Sequence, residues 1–397
     1  MSSGRDAPKP LYIDEPRAAE RFLDSLAGSD AVALDTEGAS FHRFVDRIYL
    51  LQVSTRSTSA VLDPLAIGKP EGLRRVLEDK RIECVFHDAD YDIRLLHQDY
   101  AWHATNIFDT RVAAQLLGLR AFSLAALVER YFGVTIDKKH QRADWSMRPL
   151  SPAMLDYAAQ DTMYLLGLRD RLREELERAG RWSWAAEEFQ RLEGTRWDGA
   201  EGEPFLRVKG ARDLSRRELA ILRELVRWRD GVARELDRAT FRVVGNEVLL
   251  DVARQAPRTA DALRDVKGMP RGIVERRSME ILAAIDRALA LPEEELPKFP
   301  KAPRWDRDPD FEKRVSLLRT ARDAAAERLG LDPGFLCSRE RLEAIARRNP
   351  ATLEEIAEVK EMRRWQVAEI GPDLLAALRA ARAESGGGRE GKARKRS

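Results

Sequence analysis

Four carboxylates in three short segments of the first half could do chemistry together: Asp35 and Glu37 in AVALDTE, Asp92 in VFHDADYDIRLL, and Asp161 in LDYAAQDTMYLL. Carboxylates in strand and helix positions of this kind are costly unless something positive binds them. Hard divalent cations, which prefer oxygen ligands, answer that need. Two such ions held ~3.5–4 Å apart can clamp the attacking and the leaving oxygen of a phosphodiester. Each piece alone has an ordinary reading. An Asp-Thr-Glu can be a solvated turn, Asp92 a first-turn acid favoured by the helix dipole, and Tyr157 a packing residue. The combination, in this order, points to phosphodiester hydrolysis.

The elements that must position these groups can be read around them. Residues 31–34 are an apolar run that ends in Asp-Thr-Glu, residues 47–54 form a second strand-like run, and residues 59–62 a third before the Asp63-Pro64 break. Strand side chains alternate, so Asp35 and Glu37 leave the same face and can reach one ion. Cys84-Val85-Phe86 reads as a short buried strand, followed at once by a helical pattern with Ile93, Leu95 and Leu96. Asp92 therefore falls in the first turns after a strand. Ser151-Pro152 reads as an N-cap with proline at the first helical position, opening a helix that carries Tyr157 and Asp161. Those two are four apart and share a helix face.

Asp-x-Glu on the first strand, His87-x4-Asp92 at a strand-to-helix junction and Tyr157-x3-Asp161 on a late helix resemble the DEDD exonucleases of the tyrosine subtype. IFDTRVAAQLLG at 107–118 and ADWSMRPLSPAMLDYAAQDTMYLL at 143–166 are similar to the ribonuclease D family. The resemblance covers residues 11–180 and implies a ribonuclease H-like α/β fold with a mixed sheet. It implies that Asp35, Glu37, Asp92 and Asp161 bind two Mg2+ or Mn2+ ions, with Asp35 bridging them, and that Tyr157 orients the attacking water. The activity implied is metal-dependent 3′→5′ exoribonuclease action releasing 5′-mononucleotides. The implied partner is RNA, tRNA precursors above all, acted on by a monomer without a nucleotide cofactor. Gly38 departs from the pattern, since many relatives carry a bulky residue after Asp-x-Glu. Two other functions stay open on the residues alone: a DNA-directed 3′→5′ exonuclease, and an RNA-binding module whose nuclease site is idle. No motif identifies a reader of the 2′-hydroxyl.

The second half contains a repeat. A shift of 93 positions pairs Arg229-Asp230 with Arg322-Asp323, Leu249 with Leu342, Ala253-Arg254 with Ala346-Arg347, and Pro257 with Pro350. Thr259, Val266, Lys267 and Met269 meet Thr352, Val359, Lys360 and Met362 at the same offset, so duplication is the better explanation than chance. Alanine, leucine and arginine recur at helical spacing between Pro and Gly breaks, so each copy is all-α. The copies resemble HRDC domains, small helical modules of ribonuclease D and of some helicases. No Gly-x4-Gly-Lys-Ser/Thr loop is present, which excludes a helicase. Glu361 replaces the glycine of Lys267-Gly268-Met269. The expected organisation is an exonuclease domain at 1–198, helical domains at 211–290 and 311–384, and a disordered basic tail at 385–397. Residues 194–213 and 291–310 read as linkers, glycine-rich and proline-rich respectively.

Charge is unevenly spread: residues 1–210 carry −5 and residues 211–397 carry +7, four of those charges within the last seven residues. An acidic catalytic half beside a basic appendage suits metal binding plus polyanion capture. Two cysteines, Cys84 and Cys337, exclude a disulfide framework, and five scattered histidines argue against zinc. His87 is expected to pack or hydrogen-bond beside the site. With no apolar leader and no long apolar run, a cytoplasmic setting is expected.

Overall fold

The computed structural model describes residues 10–136, 139–199, 202–300 and 308–393. Six strands form one sheet: β1 (Leu11–Ile13), β2 (Ala31–Glu37), β3 (Leu50–Ser54), β4 (Ser59–Leu62), β5 (Glu83–Phe86) and β6 (Ile107–Asp109), in the order β1-β4-β3-β2-β5-β6. β3 runs antiparallel to both β2 and β4, and the remaining pairs are parallel. The expected mixed sheet is present. β2 is central, and its apolar residues serve both faces. Ala31 and Ala33 join one core and Val32 and Leu34 another.

β3 is shorter than the run at 47–54 suggested. It begins at Leu50 because β2 ends opposite it, at Glu37, and a strand needs a partner. The two outer strands, β1 and β6, are three residues each. Such short segments carry too little alternation to be read from sequence.

β2 outlasts one of its neighbours. Its ladder with β5 covers only Ala31 to Ala33, whereas its ladder with β3 continues to Glu37. The far end of β2 therefore has one open edge. The helix Asp90–Tyr100 starts there, immediately after β5, and the helix Pro152–Met163 packs across β2, β3 and β4.

The two helical units repeat each other in backbone as well as sequence. Helices Arg216–Glu235, Thr240–Val243, Asn246–Gln255, Ala260–Arg264 and Arg271–Leu289 are followed by Phe311–Leu329, Pro333–Leu336, Arg339–Arg348, Leu353–Ala357 and Arg364–Ala393. The left-handed residues coincide at the offset: Asp237 with Gly330, Ala256 with Asn349, and Gly268 (φ 80°) with Glu361 (φ 69°). Thr259 and Thr352 both cap the helix that follows. Glu361 thus keeps a glycine's conformation, at a cost for a residue with a Cβ.

The first unit's core draws on residues outside the expected 211–290. Phe205 and Val208 are buried in the first unit's core, and Leu296 closes it from the other side. Arg216 ties that segment down by donating to the carbonyls of Glu293 (2.6 Å) and Leu296 (2.9 Å). Apolar residues from both supposed linkers are thus used as core, because a small helical unit has few of them to bury. Residues 301–307 lie outside the described residues. The tail expected to be disordered from Ser385 continues the last helix to Ala393, since lengthening a formed helix adds a bond for each residue fixed. Residues 394–397 are not among those described.

The units attach differently. The first has a core of its own, with Phe44 of the nuclease packed against it. The second shares one continuous core with the nuclease. At that junction Trp184 stacks on Trp365 (4.9 Å, 16°). Arg363 Nε donates to both oxygens of Glu188 (3.0 and 3.1 Å), and Arg191 pairs with Glu361.

Candidate active site

The open edge of β2 decides where Asp92 goes. Beyond Ala33 there is no β5 partner for the strand's amides. The Thr36 N–H donates to Asp92 Oδ1 (2.9 Å), and the Thr36 hydroxyl donates to the same oxygen (2.6 Å). Asp92 is buried in the first turn of its helix, with one oxygen already spoken for. A second acid supports the turn that delivers it. Asp109 caps its own helix by accepting from Arg111 N (2.8 Å) and Val112 N (3.0 Å), and it also accepts from Asp88 N (3.2 Å) and Ala89 N (2.7 Å). Those bonds hold Asp88 in a left-handed conformation (φ 68°), a strain tolerated where the surroundings over-determine it.

The helix bearing Asp161 is fixed as the sequence predicts. Ser151 Oγ accepts from Met154 N (3.2 Å), Pro152 occupies the first turn, and the Thr162 hydroxyl meets Ser54 Oγ at 2.7 Å to pin the helix onto β3. Tyr157, one turn before Asp161, stacks on buried Trp145 (6.0 Å, 28°) and meets His140 edge-on. The segment carrying Trp145 is anchored through Arg148, which pairs with buried Asp63 and donates to the carbonyls of Tyr49 (3.0 Å) and Trp145 (2.8 Å).

Asp35, Glu37 and Asp161 converge: one oxygen from each lies within 4.8 Å of the others. Asp92 is outside that trio, although its charge is felt by Asp35 and Glu37. Burial, then Asp92, Asp161 and Glu37, push Asp35 well above the usual carboxylate range, and burial with Asp161 and Asp92 does the same to Glu37. Burial lifts Asp161 to about 7, and it lifts Asp92 to about 7 against the two Thr36 bonds. Among the described residues no lysine, arginine or histidine makes an ion pair with any of the four. The donor set is all oxygen, anionic and poorly solvated, which fits a hard divalent cation.

The cleft above the trio measures about 440 Å³ and is lined by Asp35, Glu37, Tyr157 and Asp161 together with His87, Asp88, Arg111, Phe122 and Gln141. His87 meets the Thr110 hydroxyl at 2.9 Å, and burial followed by the Arg111 charge depresses it to about 4, so it is neutral at physiological pH. It hydrogen-bonds beside the site, as expected. Gly38 has a specific reason to lack a side chain. A Cβ there would lie 2.3 Å from Tyr91 Oη and 2.6 Å from Asp46 Oδ1, two groups that are hydrogen-bonded to each other at 2.6 Å. Arg111, Phe122 and Gln141 carry no spacing signal and were not read from the sequence. Asp109 could have been, since Asp109-Thr110 after an apolar triplet is an N-cap pattern.

The 3′-5′ exonuclease family model matches residues 10–177, and the HRDC domain model matches residues 218–285 and again 311–378. A ribonuclease D from Granulibacter bethesdensis is 31% identical over 375 residues, 93% of this chain and 92% of that one. The crystal structure of Escherichia coli RNase D, described as an exoribonuclease involved in structured RNA processing, has a TM-score of 0.72 at 26% identity, covering 94% of this chain and 99% of that one. A protein from Bifidobacterium adolescentis has a TM-score of 0.81 at 29% identity, covering 94% and 97% of the two chains. A nuclease sheet, an acidic cleft and a duplicated helical appendage agree with these likenesses along nearly the full length: the chain belongs to the ribonuclease D family and is a 3′→5′ exoribonuclease.

Proposed function

We propose that this chain trims RNA from the 3′ end with two divalent ions, releasing 5′-mononucleotides in tRNA 3′ maturation or RNA turnover. The observation that carries it is the trio Asp35, Glu37 and Asp161, buried, within 4.8 Å of one another and without a cationic partner among the described residues, with Tyr157 lining the same cleft. Asp35, Glu37 and Asp161 would hold one ion, and Asp35 with Asp92 the other. Such ions supply Lewis acidity and lower the pKa of a water to near neutrality. The chain's own groups do the rest. Thr36 fixes the Asp92 carboxylate, and Tyr157, held by Trp145, turns its hydroxyl toward the attacking water. Phe122 and Tyr157, which line the cleft, limit bulk water around the scissile bond. Neutral His87 offers a hydrogen bond without adding charge.

The test is side-by-side digestion of matched RNA and DNA strands labelled at the 5′ end, with Mg2+ and with Asp35→Asn as the control. Stepwise shortening of the RNA is expected, with turnover of the variant lower by ~10³-fold or more, because several kcal/mol of charge stabilisation depend on that ligand. Near-wild-type cleavage by Asp35→Asn in saturating Mg2+ would sink the two-ion assignment. Faster digestion of DNA would move the substrate to the other polymer.

A further inference from the structure

Two of the exposed phenylalanines meet each other. Phe41 and Phe241 are 45% and 52% exposed, yet their rings sit edge to face at 5.9 Å and 78°. Phe41 belongs to the loop that follows Glu37, and Phe241 to the helix Thr240–Val243 of the first helical unit, so the pair straddles the seam between them. That seam is well built. The Ala239 amide donates to the His42 carbonyl (3.2 Å), and the Phe44 amide donates to Asp237 Oδ1 (3.3 Å). Arg242 donates to the Phe41 carbonyl, and Arg43 reaches both Ser146 Oγ (2.7 Å) and Asp237 (3.3 Å).

Charge surrounds the rings. Arg142 lies over Phe41 (5.1 Å) and Arg242 over Phe241 (6.0 Å), and Arg238 lines a neighbouring pocket with Arg242, alongside Asp144 and Asp237. All three are exposed, and among the described residues none of them has a carboxylate within ion-pair distance. The patch differs in this from much of the arginine-rich surface, where Arg–acid pairs are frequent. It also adjoins the cleft. Gln141 lines the cleft beside Arg142, and Phe41 is four residues beyond Glu37, at most ~14 Å away along the chain. At the 93-residue offset the second unit carries Gly334 where the first carries Phe241, so the duplicated fold does not require an aromatic there.

Exposed phenylalanines are individually unremarkable. Two apposed rings flanked by guanidiniums with no carboxylate at ion-pair distance among the described residues, beside a phosphodiesterase cleft, are complementary to a strand that offers flat faces and anionic links. We propose that Phe41 and Phe241 form a stacking platform for unpaired bases upstream of the 3′ nucleotide in the cleft, with Arg142, Arg238 and Arg242 facing the phosphates. The proposal rests on the exonuclease reading of the cleft. It specifies a single strand, since the base faces of a duplex are already covered by their neighbours.

The experiment compares the full chain with its Phe41→Ala/Phe241→Ala variant. Affinity is measured by fluorescence anisotropy in EDTA, for a single-stranded RNA of about 12 nucleotides and for a blunt duplex. Cleavage of a dinucleotide, too short to reach the seam, is measured with Mg2+. The variant should bind the single strand about tenfold more weakly, bind the duplex as wild type does, and keep wild-type kcat on the dinucleotide. Phe41→Trp/Phe241→Trp should retain single-strand affinity. Unchanged single-strand binding by the alanine variant would overturn the platform. So would an equal loss for the duplex, or a fall in dinucleotide kcat, which would make the pair a support of the cleft. Failure of the wild-type chain to cleave the dinucleotide or, once Mg2+ is added, the single strand would instead strike at the nuclease assignment, and would leave the binding comparison intact.

Discussion

At the scale of single residues, the three converging acids and Tyr157 were legible because each stands in a local pattern with a mechanical meaning. The alternation of β2 put Asp35 and Glu37 on one face, and the cap at Ser151 fixed the phase of Tyr157 and Asp161. The setting of Asp92 was not legible, because it depends on β2 outlasting β5, a fact of pairing between distant segments. Tyr157→Phe isolates positioning from metal binding. It should lower single-turnover cleavage by ~10²-fold, leave a metal titration unchanged, and barely move the melting temperature, since the ring still packs on Trp145. Unchanged cleavage would remove the hydroxyl from the mechanism. The acids also set a pH dependence. Asp92 and Asp161 stand at about 7 in the folded protein, against ~3.9 for an unperturbed aspartate. Across that window the folded, metal-free protein holds protons that the unfolded chain has released, so these groups make stability fall as pH rises. Mg2+ must displace those protons, so it should raise the melting temperature more at pH 8 than at pH 5, and Asp35→Asn should shrink the difference. Equal stabilisation at both pH values would contradict protonation of these buried carboxyls in the metal-free protein.

At the scale of elements, the duplicated helices show what one chain can do with the same backbone twice. Three left-handed positions recur at the offset, but their side chains follow their surroundings. Asp237 meets Arg43 and Phe44 of the nuclease loop, whereas its counterpart Gly330 lies against Gly118. Glu361 sits where Gly268 sits in the first copy, and its carboxylate pairs with Arg191 and Arg363 at the nuclease junction. The sequence showed the exchange. The docking that gives the carboxylate a partner is tertiary and left no local trace. Trp365 stands beside it, 4% exposed and stacked on Trp184. Trp365→Ala should therefore cost ~3–5 kcal/mol, the range for deleting a large buried aromatic. Urea unfolding of the full chain checks this. A loss below ~1 kcal/mol would mean that the junction is only loosely packed.

At the scale of the whole molecule, the three-part organisation was legible from composition and the repeat, while the two attachments were not. Sequence assigns the copies equal status, but one keeps a private core and the other shares the nuclease's. A chain ending at Pro300 keeps the seam at Phe41 and Phe241 but bares the nuclease's side of the shared core, so it should melt at a much lower temperature and, below that temperature, keep metal-dependent cleavage and single-strand affinity. A chain ending at Asp198 should lose single-strand affinity as well. Equal affinity losses in the two, measured on the same strand, would argue against a special role for the first unit. The shared core has a further consequence for heating. Residues that pack into one interior cannot give way in part without exposing the rest, so nuclease and second unit should melt as one cooperative block. The first unit, joined through polar contacts and a few rings, is free to unfold by itself. Three units by descent are thus two by cooperativity, and a calorimeter should record two transitions, the smaller belonging to the copy that lies beside the catalytic cleft.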